Sequence, residues 1–282
     1  MRLMSNRKIS FQGAKGANSE IAIRKVYGND TEAIPCDTFE DAFNTLNKGE
    51  ADLAMIPIEN TLAGRVADIH HILPNSNTFI IGEYFLPIRF DLMALPGVKL
   101  DEIKTVYSHV HGLGQCRNII RKNDWKAIVG GDTAGSAKLV SEGSDRTAAA
   151  LAPALAAKIY ELETLAQNVE DSENNTTRFV ILSRDANWAK AGNGEVITTF
   201  LFQVRNIPAA LYKAMGGFAT NGINMTKLES YQLGGAFTAT QFYADVVGHP
   251  DDTNLKLAFE ELEFFTDEFK ILGVYPSAKM RG

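Results

Sequence analysis

The stretch ADLAMIPIENTLAGRVADIHHIL, residues 51–73, decides how the N-terminal part of the chain folds. It begins with an apolar run of strand-like length and continues through small and hydroxyl-bearing residues. It ends in a segment whose apolar residues lie three and four positions apart. These two periods are typical of a buried strand followed by an amphipathic helix. We therefore predict a strand, a short junction and a helix here.

The same order recurs on both sides of this stretch. We predict strands over 8–11, 51–58, 78–86, 103–108, 126–131 and 178–183, and helices over 19–27, 38–49, 65–73, 112–122 and 133–143. Strands and helices in alternation indicate an α/β domain with mostly parallel strands.

The C-terminal part has a different order of elements. A polar, glycine-containing segment at 185–195 is typical of a linker. We predict strands over 196–204, 223–232, 237–248 and 269–276, helices over 208–222 and 253–267, and a hairpin turn at 233–235. The order βαββαβ is that of the ferredoxin-like fold. The sequence thus predicts one domain over 7–184, the linker, and a second domain over 196–278.

Composition narrows the class of protein. The net charge is -6 and the pI about 5.5, so no basic surface is expected for nucleic acid. We see neither a secretory signal nor an apolar segment long enough for a membrane span. Cys36 and Cys116 lack metal-site spacing and are expected to be core residues. A cytoplasmic protein without metal or cofactor is the expectation.

Four strand-to-helix junctions, at 10–20, 55–64, 106–114 and 129–137, are rich in Gly, Ser, Thr and Asn. Helix N-termini carry unpaired N–H groups, so several of them around one crevice would bind a small dianion. The alternative is that these residues are ordinary caps and turns. The segment NNTTRF, Asn174 to Phe179, poses the same choice between an anion site and a solvated loop.

Taken in order, the motifs IPIENTLAGRVAD, SHVHGLGQC, DTAGSA, NTTRF and INMTKLES resemble those of prephenate dehydratases with a C-terminal ACT domain. The resemblance implies a bilobed catalytic domain similar to periplasmic binding proteins, followed by the ferredoxin-like regulatory domain. It implies decarboxylating dehydration of prephenate to phenylpyruvate in L-phenylalanine biosynthesis. Since residue 8 already begins the first predicted strand, we expect no chorismate mutase domain.

The resemblance also implies the site residues. Thr177 is the residue essential for activity, and it suits a hydrogen-bond donor to the departing hydroxyl better than a fully ionising acid. Arg178 is expected to clamp a substrate carboxylate, and which carboxylate stays open. Glu59 is either a proton source or a structural carboxylate. The remaining substrate-binding residues are Phe179, Asn175, Asn60, Thr61, Ser19 and Thr133.

Regulation by L-phenylalanine is implied in the same way, through Ala209, Ala210, Leu211, Asn224, Glu229 and Ser230. Two departures from the family pattern bear on it. Ala209 stands where the family has glycine, and Tyr231 and Gln232 replace an Arg-Pro pair. We therefore expect weakened feedback inhibition. Pairing of ACT domains predicts a homodimer or homotetramer.

Other departures lie in the catalytic domain. Ala14 and Ala17 replace a proline and a threonine, and Val110 and His111 replace a proline and a glutamine. Two alternatives stay open. One is an arogenate dehydratase, which yields L-phenylalanine directly, and the other is a ligand sensor without catalysis.

Overall fold

A computed structural model describes residues 7–66, 69–192, 194–205, 207–232 and 239–278. The chain forms two compact units, one of Met1–Val66 with Tyr84–Phe179 and the other of Ala67–Glu83 with Val180–Gly282. Their limits differ from the domain limits predicted at 184 and 196, which remain predictions. No helix among the described residues has the length and apolarity needed to cross a membrane.

Every strand and helix predicted before residue 184 has a counterpart in the structure, which also contains elements that were not predicted. The strands are β1 (Lys8–Gln12), β2 (Glu32–Cys36), β3 (Leu53–Asn60), β4 (Gly64–Arg65), β5 (Phe79–Pro87), β6 (Asp91–Ala94), β7 (Thr105–Ser108), β8 (Lys126–Val129), β9 (Ala148–Ala152), β10 (Glu163–Ala166) and β11 (Thr176–Ser183). The helices are α1 (Asn18–Tyr27), α2 (Phe39–Asn47), α3 (Ile69–Ile72), α4 (Val110–Gln115), α5 (Arg117–Lys122), α6 (Thr133–Glu142) and α7 (Ala154–Ile159).

Two sheets build the first unit, as a bilobed α/β domain requires. One has the order β11-β3-β1-β2, and the other has the order β10-β6-β9-β7-β8. β1 is parallel to β2 and β3, and β7 is parallel to β8 and β9. β6 is antiparallel to both β9 and β10, so the predicted parallel arrangement holds for part of the second sheet only.

Sequence periodicity missed β2, β4, β6, β9 and β10. β9 is AAALA, and alanine has a low strand propensity, yet all five of its residues are buried. Its pairing with β6 on one side and β7 on the other supplies the strand conformation. The predicted helix over 65–73 was too long, because α3 covers only Ile69–Ile72 of the described residues.

A close backbone contact holds the first glycine-rich junction in place. Gly16 has φ +88°, and a Cβ atom added there would lie 2.8 Å from Cα of Ala156 in α7. Only glycine allows this backbone conformation and this approach together. The hydroxyl of Tyr160, which directly follows α7, also donates to the Lys15 carbonyl at 2.9 Å, so the junction is held against this helix by two contacts.

The second unit carries the predicted βαββαβ order. It comprises β12 (Val196–Val204), α8 (Ala210–Thr220), β13 (Met225–Gln232), β14 (Ala239–Val247), α9 (Thr253–Phe265) and β15 (Thr266–Pro276). The sheet order is β13-β14-β12-β15-β5, with antiparallel pairs from β13 to β15. α8 and α9 cover a core that includes Phe200, Phe202 and Phe259. The predicted hairpin turn at 233–235 lies outside the described residues.

Candidate active site

The candidate site forms where β3 ends and β11 begins, because these strands are neighbours in one sheet. Side chains alternate between the two faces of a strand. Asn60 and Thr177 therefore meet on one face, where Nδ2 of Asn60 lies 2.9 Å from Oγ1 of Thr177. Glu59 and Arg178 meet on the other face.

Asn60 is the centre of the hydrogen-bond network. Its Oδ1 accepts the backbone N–H groups of Leu62 at 2.9 Å and Ala63 at 2.8 Å. Backbone N–H groups only donate, so these bonds fix which end of the amide is oxygen. Nδ2 then donates to Oδ1 of Asn175 at 2.6 Å and to Oγ1 of Thr177. Every hydrogen-bonding group of the Asn60 amide is engaged within the protein.

The direction of the Asn60–Thr177 bond decides what Thr177 can do. Since Oγ1 of Thr177 accepts from Asn60, its own hydroxyl hydrogen points elsewhere. None of the described residues accepts that hydrogen. Thr177 is 9% exposed. The site thus presents one oriented O–H donor.

Asn175 extends the network to α4. It is 1% exposed, its Nδ2 donates to Oε1 of Gln115 at 2.5 Å, and its carbonyl accepts from Ile88 N–H at 2.8 Å. The Nε2 group of Gln115 meets no acceptor among the described residues. Sequence reasoning missed Gln115, and the only signal was a polar residue within the motif SHVHGLGQC.

Thr61 joins the two strand ends. Its hydroxyl donates to the Asn174 carbonyl at 3.0 Å and accepts from Thr176 N–H at 3.0 Å. Its backbone N–H donates to the Thr176 carbonyl at 3.0 Å. The donor capacity of this hydroxyl is therefore used in holding β3 against β11.

The structure gives Arg178 a partner inside the protein. The guanidinium is almost fully buried, and its Nη1 lies 2.9 Å from Oε1 of Glu59. A buried charge is stable only when it is paired, so this ion pair favours the structural alternative for Glu59. Phe179 is 1% exposed and belongs to the core. It lies on the same strand face as Thr177.

Ser19 and Thr133 are not linked to the Asn60 network by any side-chain hydrogen bond among the described residues. Ser19 is buried in the first turn of α1, and Thr133 is the half-buried first residue of α6. Their assignment to the substrate site stays a prediction.

Several helix starts are capped by the protein's own carboxylates. Oδ1 of Asp132 accepts Gly135 N–H at 2.6 Å at the start of α6. Asp171 accepts both Arg117 N–H at 2.9 Å and Asn118 N–H at 3.0 Å at the start of α5. Oε2 of Glu20 takes Gly16 N–H at 2.6 Å. Ordinary capping therefore accounts for Asp132 in the junction at 129–137. For the other predicted junctions the choice between caps and an anion site stays open.

A cavity of about 340 Å³ adjoins the network. It is bounded by Leu62, Ala63, Val110, His111, Gly114, Gln115, Arg117, Asp171 and Ser172. This volume suits a small organic ligand, since such sites measure about 300–1,000 Å³. Gln115, Leu62 and Ala63 belong both to the cavity wall and to the network around Asn60. Val110 and His111, two departures from the family pattern, also lie in the wall.

Burial shifts the pKa values of Cys116 and His109. Burial raises the pKa of the Cys116 thiol far above its usual range, and the nearby Asp171 and Glu170 raise it further. This thiol is completely buried, which confirms the expectation of a core residue. Burial also lowers the pKa of His109, as does His111, while Asp132 opposes the change. Among the described residues, no group of three or more His, Cys, Asp or Glu could hold a metal ion.

The predicted effector residues lie in the second unit. Ala209 precedes α8 with φ +61°, in the left-handed region, which explains why the family has glycine here. Ala210 and Leu211 pack into or against the core. The remaining three residues, Asn224, Glu229 and Ser230, lie on or beside β13. The Asn224 carbonyl accepts Val247 N–H at 2.9 Å, and Ser230 is exposed. Glu229 pairs with Lys227 and accepts from the Tyr231 hydroxyl at 2.7 Å.

The sequence model of one family, described as prephenate dehydratase, matches residues 9–187. A bifunctional N-acyl-homoserine lactone acylase/prephenate dehydratase of Komagataeibacter europaeus is 46% identical over 276 residues, covering 98% of each chain. Arogenate dehydratase/prephenate dehydratase 2 of Arabidopsis thaliana is 35% identical, over 95% of this chain and 72% of the relative.

A solved structure is also similar along nearly the whole chain. It is the prephenate dehydratase of Arthrobacter aurescens in complex with L-Phe, with 31% identity and a TM-score of 0.87. The similarity covers 96% of this chain and 90% of that chain.

Proposed function

The chain belongs to the prephenate dehydratase family, a family of carbon–oxygen lyases, and from that membership we propose the reaction and the roles of its site residues. The protein converts prephenate into phenylpyruvate, carbon dioxide and water, with Thr177 as the catalytic residue. The observation that carries this assignment is the bond from Nδ2 of Asn60 to Oγ1 of Thr177. It leaves the Thr177 hydroxyl hydrogen available for the departing oxygen of the substrate.

The reaction breaks two bonds of the substrate ring. The bond to the ring carboxylate breaks and releases carbon dioxide, and its electron pair enters the ring. The ring C–O bond then breaks, and the oxygen leaves with its electron pair as hydroxide, which takes up a proton to become water. Formation of the aromatic ring drives both steps, so the protein needs to orient the substrate and stabilise the departing oxygen. A single oriented O–H donor meets the second requirement.

The neighbouring residues position Thr177. Asn60 directs the hydroxyl, Asn175 and Gln115 hold Asn60, and Thr61 fixes the two strand ends to each other. The Arg178–Glu59 pair supports the same strand ends from the opposite face. Phe179 packs behind the site, and Ser19 and Thr133 complete the substrate site as the resemblance implies.

Regulation by L-phenylalanine forms part of the proposal. The Arthrobacter aurescens relative binds L-Phe, and the second unit of this chain has the βαββαβ order of an ACT domain. The methyl group of Ala209 in a left-handed conformation and the engagement of Glu229 with Lys227 both favour weaker binding of the effector. We also propose that the protein assembles into a homodimer or homotetramer through these domains and that it lies in the cytoplasm.

The test is a time course of purified protein with prephenate and, in parallel, with arogenate, following phenylpyruvate and L-phenylalanine. We expect phenylpyruvate from prephenate. If the protein formed only L-phenylalanine, and only from arogenate, its substrate would be arogenate. This alternative is favoured by the name of the Arabidopsis thaliana relative, which includes arogenate dehydratase. A folded protein that turns over neither substrate would favour the alternative of a ligand sensor without catalysis.

A second candidate activity is hydrolysis of N-acyl-homoserine lactones. It is favoured by the name of the Komagataeibacter europaeus relative, which is 46% identical. The buried Cys116 does not serve as its nucleophile, because its thiol stays protonated at neutral pH. The test measures homoserine lactone released from an N-acyl substrate by the purified protein, with heat-denatured protein as control. No release above that control would exclude this activity.

A further inference from the structure

We propose that Arg117 selects the substrate by binding the side-chain carboxylate of a 2-oxo acid, so that the cavity favours prephenate over its 2-amino counterpart arogenate. This inference rests on the proposed function, because it assumes that the cavity beside Gln115 holds the substrate. It assigns the carboxylate-binding role to Arg117, whereas the sequence pointed to Arg178.

Arg117 is placed to bind an anion. It is the first residue of α5, its side chain is exposed, and it lines the cavity together with Gln115. The guanidinium lies against Gly114, where an added Cβ would be 3.7 Å from Nη2. No carboxylate of the described residues forms an ion pair with it. Its fork of N–H groups matches the geometry of a carboxylate.

The other arginines beside the site differ from Arg117 in this respect. Arg178 is buried and paired with Glu59 at 2.9 Å. Arg89 lies 3.2 Å from Glu170 and also donates to the Glu173 carbonyl at 3.0 Å. The charge of each of these guanidinium groups is already balanced by a carboxylate of the protein. No carboxylate of the described residues forms an ion pair with Arg117.

The one acidic side chain in the cavity wall, among the residues described, is Asp171. Its two oxygens accept the N–H groups of Arg117 and Asn118 at 2.9 and 3.0 Å. Its own N–H donates to the Gln115 carbonyl at 2.6 Å, which fixes its position. This carboxylate therefore uses two of its acceptor positions at the start of α5.

Three side-chain donors remain available in or near the cavity: the Arg117 guanidinium, Nε2 of Gln115 and the Thr177 hydroxyl. The His111 ring and the Ser172 hydroxyl, which can each donate or accept, also lie in the cavity wall. A keto oxygen accepts hydrogen bonds from such groups. An ammonium group is itself a donor, and it is repelled by the guanidinium. The site chemistry therefore discriminates between the two substrates at the carbon that carries the oxo or amino group.

The experiment compares kcat and KM for prephenate and for arogenate in the wild type, Arg117→Gln, Arg117→Lys and Arg121→Gln. Arg121 lies one turn further along α5, is exposed and does not line the cavity. Its substitution removes the same charge and controls for long-range electrostatics. Arg117 is exposed, so its variants are expected to fold, and their thermal midpoints are measured to verify this.

We expect Arg117→Gln to raise KM for prephenate about tenfold or more, since a charge-assisted hydrogen bond is lost. The effect on kcat should stay within about threefold, because Arg117 does not contact the departing groups. The preference for prephenate over arogenate, taken as the ratio of kcat/KM values, should fall about tenfold. Arg117→Lys should retain part of that preference, and Arg121→Gln should match the wild type.

Two failures are distinguishable. An active wild type whose substrate preference is unchanged in Arg117→Gln, or equally reduced in Arg121→Gln, would overturn this inference and leave the proposed function standing. A folded wild type without turnover of either substrate would overturn the proposed function, and this inference with it.

Discussion

Replacing Thr177 with valine tests the proposed mechanism most directly. Valine has nearly the shape of threonine, so Thr177→Val removes the hydroxyl with little change of volume. Two hydrogen bonds are affected: the donor to the departing oxygen disappears, and Nδ2 of Asn60 loses its acceptor at 2.9 Å. The first change affects turnover and the second affects stability.

The magnitudes follow from these two bonds. Loss of a positioned hydrogen-bond or proton donor costs about 10²–10⁴-fold in rate, or about 2.7–5.4 kcal/mol of transition-state stabilisation. The half-buried N–H of Asn60 left without an acceptor costs about 1–3 kcal/mol of folding free energy. Turnover of prephenate should therefore collapse, while the protein stays folded with a measurably lower free energy of unfolding.

The assay measures kcat for phenylpyruvate formation and, on the same samples, the free energy of unfolding in urea. Thr177→Ser keeps the hydroxyl and should recover turnover to within about tenfold of the wild type. Thr31→Val is the matched control, because it also removes a hydroxyl, one that donates to the Tyr27 carbonyl at 3.2 Å away from the site. A folded Thr177→Val protein that turns over prephenate at the rate of the Thr31→Val control would refute the reasoning.

Three further outcomes are expected. Asn60→Asp should lower turnover of prephenate at least about 100-fold, because the introduced carboxylate accepts the Thr177 hydroxyl hydrogen and withdraws it from the substrate. Kinetics on a variant with a native circular dichroism spectrum would check this, and full activity would contradict it. Ala209→Gly should stabilise the protein by up to about 1 kcal/mol, because residue 209 has a left-handed backbone conformation, and it should tighten L-phenylalanine binding. Urea denaturation measures the first effect and isothermal titration the second. Unchanged or weaker binding would show that the methyl group does not crowd the effector. Burial lowers the pKa of His109 in the folded state, so its contribution to stability is present above the unfolded pKa of about 6.5 and is lost as the pH falls from there through the lower folded-state pKa. The free energy of unfolding should therefore depend less on pH, between about 7.5 and 5.5, in His109→Asn than in the wild type, and identical pH dependence would contradict this.

Local sequence predicted the parts of the fold that local chemistry determines. The alternation of strands and helices, the βαββαβ order of the tail and the start of α2 at Thr38 all follow from short-range periodicity and capping. Thr38, the first residue of the helix predicted over 38–49, forms a reciprocal cap with Asp41, whose N–H lies 3.0 Å from Oγ1 of Thr38. Such features depend on residues within one or two turns of each other, so a single sequence contains them.

Strands that depend on pairing with distant segments were not predicted. β9 consists of alanines and one leucine, and it is a strand because β6 and β7 pair with it from both sides. β2 has only one buried residue, Cys36, and contains Pro35, so its pairing with β1 fixes it rather than its own propensity. Pairing between segments distant in sequence is not encoded in any short window.

The sequence by itself determined the family, the motif Thr177-Arg178-Phe179 and the threonine hydroxyl as the group suited to the chemistry. Only the tertiary structure decided how these residues divide their work. Alternation along β11 sends Thr177 toward Asn60 and Arg178 toward Glu59 on opposite faces of the sheet. The packing of α4 and α5 brings Gln115 and Arg117 to one cavity. Hydrogen bonds and ion pairs join atoms that the chain brings together only when it folds, so residue types fix the available chemistry and packing fixes each partner.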